Sequence, residues 1–175
     1  DVATRPDSRD APHLFGLGLQ EMLADEITAA LRAIRDRAVL QAAQTGRVAT
    51  LPLRSKGIRY GSIRVAPDGA VDTSGVQGVD PDLRVRPFFA QGGTISIREF
   101  LVGAFNAEMG IEAADPLLHA AASGARVVTP AGMVLDGALD AIERPPAANE
   151  ADDPDGDGVR DELPVALVDH MEFYL

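Results

Sequence analysis

LQEMLADEITAALRAIRDRAVLQAAQ, residues 19 to 44, is the stretch that decides how the chain is read. Its apolar positions Met22, Leu23, Ile27, Ala30, Leu31, Ile34, Ala38 and Val39 recur at steps of three and four, the period of one helix face. Asp25 and Glu26 stand near the start and Arg32, Arg35 and Arg37 follow, the order a helix dipole favours. Gly46 supplies a stop. The spacing predicts a long amphipathic helix, and around it a mainly α fold is expected.

Outward from this helix the signals alternate. Residues 1 to 12 are polar and carry Pro6 and Pro12, which predicts an extended approach. Between Gly57 and Val76 the residues Ile58, Tyr60, Ile63 and Val65 alternate, then Pro67-Asp68-Gly69 leads to Val71, a β-hairpin pattern. A second ribbon is expected from Val127-Val128 and Met133-Val134-Leu135 around Thr129-Pro130-Ala131-Gly132. Both are expected as ornaments on a helical body. Ser96 and Glu99 have capping-box spacing ahead of Ile97, Phe100, Leu101, Ala104 and Phe105. Asp115-Pro116 opens a shorter helix, since a proline in the first turn gives up no needed amide. The expected organisation is a helical domain over residues 1–142 with a hairpin insertion, an acidic Pro- and Gly-rich linker over 143–163, and the start of a truncated helix over 164–175.

Composition narrows the function. The 27 acidic and 16 basic residues leave a net charge of -11, which repels a phosphate backbone, so nucleic acid is not an expected partner. No apolar run reaches the roughly 18 residues that cross a bilayer, and no membrane span is expected. There is no cysteine, which excludes disulfides, thiolate metal sites and the C-x-x-C-H sequence that holds c-type haem. The chain opens at Asp1 without Met and stops in an apolar run at Leu175, so the expectation is a processed segment of a longer protein.

Three segments carry a resemblance. Arg9-Asp10-Ala11-Pro12-His13-Leu14-Phe15-Gly16, Pro87-Phe88-Phe89-Ala90-Gln91-Gly92 and Asn106-Ala107-Glu108-Met109-Gly110 occur in this order. They are similar to Arg-Asn-Ala-Pro-x-x-Phe-Asn, Phe-Trp-Asp-Gly-Arg and Pro-x-Glu-Met-Gly between the two haem motifs of bacterial di-haem cytochrome c peroxidases and their di-haem oxidoreductase relatives. The resemblance implies a cytochrome-c-like lineage and a region between two haems. It further implies a periplasmic or otherwise exported haem-dependent oxidoreductase that reduces peroxide with electrons from a donor protein. Its haem c would be attached in haem-bearing segments outside this chain, which alone would be inactive. A related haem oxygenase and a non-catalytic calcium-binding or interaction subunit are the alternatives.

The departures bear on function. Phe89 stands where the family has a tryptophan on the path between haems, and Gly92 or Gly93 where it has an arginine. By resemblance Glu108 is the acid/base carboxylate that moves a proton between the peroxide oxygens; from the residues alone it is a surface carboxylate before Gly110. His13, Phe88 and Phe89 are haem-contact candidates, the phenylalanines equally ordinary core. Asp10 falls where the peroxidases often carry a calcium-binding asparagine, and otherwise reads as a turn or cap residue.

One motif stands without the resemblance. In Asp153-Pro154-Asp155-Gly156-Asp157-Gly158-Val159-Arg160-Asp161-Glu162, alternate carboxylates at Asp153, Asp155 and Asp157 can converge on a hard cation. The Val159 carbonyl and Asp161, through water, extend the set. Pro164 occupies the twelfth place, where a bidentate acid is usual, so the loop is incomplete unless Glu162 substitutes. The alternative is an acidic disordered linker.

Overall fold

A computed structural model describes residues 13–89 and 92–175. Residues 9–12 of the first resembling segment, Asp10 among them, and Ala90 and Gln91 of the second lie outside the described residues.

The long helix forms as α1, Leu17–Thr45, and ends at Gly46 in the left-handed conformation, its amide donating to the Ala42 carbonyl. Its buried face runs through Leu17, Glu21, Ala24, Thr28, Leu31, Ala38 and Ala42. This face is rotated from the expected one, leaving Met22 and Leu23 about half exposed. What covers it is a three-stranded antiparallel sheet of β1 (Ala49–Ser55), β2 (Ile58–Val65) and β3 (Val71–Asp72), in the order β1-β2-β3. Ile27, Leu31, Ile34 and Ala38 of α1 pack on Leu53, Ile63 and Val65 of the sheet. Leu31, Leu53 and Ile63 are fully buried, and burying such a side chain stabilises the fold by roughly 2 kcal/mol. Gly61 is required in β2: with φ 76°, a Cβ there would lie 1.9 Å from the Gly75 carbonyl oxygen.

A second core gathers α2 (Ile97–Met109), α3 (Pro116–Ala122), the ribbon β4 (Arg126–Val128) with β5 (Val134–Asp136), and α4 (Val165–Tyr174) around Leu101, Leu118, Leu135 and Val168. The capping box is complete: Ser96 Oγ accepts the Glu99 amide and Glu99 reaches back to the Ser96 amide. Asp115 caps α3 through the Leu118 amide. Residues 143–163 hold no helix or strand, yet Ala147 bridges to Ala114 and the buried Leu163 to Ala113.

The two cores are joined by ions. Arg32 reaches Asp140 at 2.7 Å, Arg84 lies 3.9 Å from the same carboxylate, and the Glu21 carboxylate accepts the Ile97 amide at the start of α2 at 2.8 Å. The expectation of a mainly α, cytochrome-c-like fold is therefore corrected. Helix makes up 37% and strand 19%, and the sheet expected as an ornament builds one of the two cores. The physical reason is that α1 has a buried face too long for the short helices α3 and α4 to cover. No described helix is long and apolar enough to cross a membrane.

Candidate metal centre

The acidic loop folds back on itself through its own carboxylates. Asp153 accepts the Gly156 amide at 2.9 Å and the Gly158 amide at 3.2 Å. Asp155 accepts the Asp157 amide at 3.0 Å, and Asp157 the Val159 amide at 2.7 Å. These turns need left-handed backbone at Gly156 and Gly158, where φ is 75° and 93°. The result brings one carboxylate oxygen from each of Asp153, Asp155 and Asp157 to within 4.8 Å of the others. Three hard oxygen donors at this separation suit calcium, whose ligands lie about 2.3–2.6 Å from the ion.

The remaining ligands of the motif are placed differently. Asp161 does not belong to that group of three; its backbone has φ 52° and its buried Oδ1 accepts no hydrogen bond among the described residues. It lines a cavity of about 10 Å³ with Glu112, Asp152 and Glu162. Val159 is exposed and its amide is held by Asp157. Glu162 is engaged elsewhere, accepting the Glu112 amide at 2.7 Å. Glu112 in turn accepts the Asp155 amide at 3.3 Å, tying the loop to the strand-like segment ahead of α3. Burial pushes the Glu112 carboxyl up, and the nearby Asp155, Glu162 and Asp153 push the same way.

The residues singled out for haem chemistry do not form one constellation here. Glu108 is exposed near the end of α2 and its carboxylate makes no hydrogen bond among the described residues. Phe88 is buried against Phe100 with ring centroids 5.9 Å apart; Phe89 is 39% exposed, has φ 59°, and lies 5.0 Å from the same ring. His13 is exposed. A cleft of about 300 Å³ runs between α2, α3 and residues 143–146, lined by Val102, Asn106, Leu118 and Arg144, and none of these candidates lines it. The Glu99 carboxylate on its floor is already occupied by the Ile95, Ser96 and Glu143 amides and the Ser96 hydroxyl.

Sequence reasoning missed the groups that do converge. Arg98 is fully buried, with Asp115 and Asp169 each at 2.7 Å and Glu172 at 3.0 Å. A signal existed for Glu21, a charged residue set between Leu17 and Ala24 on the buried stripe of α1. For Arg98, on a short helix, partners 17 to 74 residues away left no local trace. Comparison of the chain with protein-family models, characterised proteins and solved structures returns no match.

Proposed function

We propose that this chain is a calcium-binding module in which the ion fixes residues 153–161 against the core. The observation that supports the reading is the approach of the Asp153, Asp155 and Asp157 oxygens to within 4.8 Å of one another. Three carboxylates that close repel at neutral pH, and a divalent cation removes the repulsion. The donors are all oxygens, with no histidine among them, which favours calcium over transition metals. The Pro164 at the twelfth place and the engaged Glu162 leave the set short, so affinity should be weak, on the order of 10⁻⁴ to 10⁻³ M. Titration calorimetry with calcium, paired with a thermal shift, tests this. Binding heat that vanishes in Asp155→Asn/Asp157→Asn supports it; no heat and no shift at millimolar calcium refutes it.

A second reading, a place in a haem-dependent oxidoreductase with haem c attached outside residues 1–175, rests on the three resembling segments. One observation favours it: the Glu108 carboxylate is exposed and unengaged among the described residues, as proton transfer to a group docking there requires. In a haem-bearing protein, Glu108→Gln should keep the haem and lose peroxide turnover. Unchanged turnover would end that assignment.

A further inference from the structure

We propose that the junction of α1, α2 and α4 is a proton-controlled latch: with Glu21 protonated α4 stays docked, and ionisation of Glu21 releases it. The geometry starts with Glu21 itself, which is 1% exposed on α1 and has no cation within ion-pairing distance among the described residues. Among the described residues its carboxylate accepts one backbone hydrogen bond, from the Ile97 amide that opens α2. One turn earlier on α1, the Gly18 amide donates to the Leu175 carbonyl, so the end of α4 is fastened to the same short stretch.

The charges around Glu21 oppose its ionisation. Asp25 stands one turn further along α1, and Glu172 faces it from α4. The charge that favours ionisation is Arg84, from the segment ahead of α2, and Arg98 is the residue after Ile97. Both arginines are also drawn on by other carboxylates. Arg84 is paired with Asp25, with Asp140 close by, and Arg98 is shared among Asp115, Asp169 and Glu172. An ionised Glu21 adds a further negative charge to an interior where these two arginines already face five carboxylates, with one nitrogen of each, Arg84 Nε and Arg98 Nη2, holding no hydrogen bond among the described residues. Burial, then the charges of Asp25 and Glu172, raise its carboxyl to about 7, against the Ile97 amide and Arg84.

The element best able to yield is α4. It is only ten residues long, Leu167, Phe173 and Tyr174 are exposed, and it docks through Val168, Glu172 and the Arg98 contacts. Releasing it lets water reach Glu21 and Glu172 together and bares Val168 and Met171, an apolar face for a partner.

The test is amide exchange of the complete 175-residue chain between pH 6 and 8, corrected for intrinsic exchange, with the Glu21 carboxyl carbon followed by NMR. One proton lost on a group titrating near pH 7 makes protection of α4 fall about tenfold over that range. Glu21→Gln, which keeps the acceptor for Ile97 but cannot ionise, should hold α4 protection constant. Asp25→Asn should move the midpoint to lower pH by removing a repelling charge. A tenfold loss that persists in Glu21→Gln overturns the proposal, as does a Glu21 carboxyl that titrates with no change in α4, or a midpoint unmoved by Asp25→Asn.

Discussion

Replacing Arg98 with methionine keeps most of the side-chain volume and removes the charge, so it measures what the buried cation contributes. The structure sets the size of the effect. Asp115 and Glu172 are 0% and 1% exposed at the side chain and would be left without their cation, whereas Asp169, at 29%, can turn to water. Stripping one partner from a buried ion pair costs about 3–5 kcal/mol, and the part-exposed pair adds under about 1 kcal/mol. The expected loss is about 4 kcal/mol at neutral pH, a fall in Tm of roughly 8–16 °C for a chain of this size. Burial already pushes Asp115 and Glu172 up, against the pull of Arg98, so without Arg98 they rise further. Lowering the pH should then protonate them and narrow the deficit. The assay is urea unfolding and calorimetry of both proteins at pH 7 and pH 5. Arg98→Met/Glu172→Met, which removes charge from both sides, should regain part of the loss. A Tm change below about 3 °C, or a deficit that does not narrow at pH 5, would refute the reasoning.

Other outcomes are expected. For Glu21 the folded state holds its proton up to about pH 7 and the unfolded chain only to about 4.5, so stability falls as pH rises through that window. The difference between the parent and Glu21→Gln in unfolding free energy should change by about 3 kcal/mol from pH 4.5 to above 7, and a flat difference would exclude the shift. Gly61→Ala forces a Cβ onto the Gly75 carbonyl oxygen and a left-handed alanine, which should cost more than about 2 kcal/mol by urea unfolding. Ser96→Ala removes a buried cap and one of the donors to Glu99, and should cost about 1–2 kcal/mol in the same assay.

The sequence by itself determined the local elements. Period and punctuation place α1 up to Gly46, the Ser96–Glu99 capping box, the start of α3 at Asp115-Pro116 and both ribbons, because each depends on residues within a few positions of one another. The alternating aspartates that meet in the candidate metal loop were legible for the same reason. Strand β1 was not, since Pro52 argues against a strand; it is tolerated because β1 is an edge, with a register shift between Pro52 and Arg54. Only the tertiary structure decided which face of α1 is buried, as Met22 and Leu23 have the right period and still face outward. Only it could bring Glu21, Arg84, Arg98 and Glu172 into one interior, because a buried charge is tolerated by partners from distant parts of the chain. The same holds for the division into two cores: an amphipathic helix states that something must cover it, and the folded chain supplied a sheet where more helix was expected.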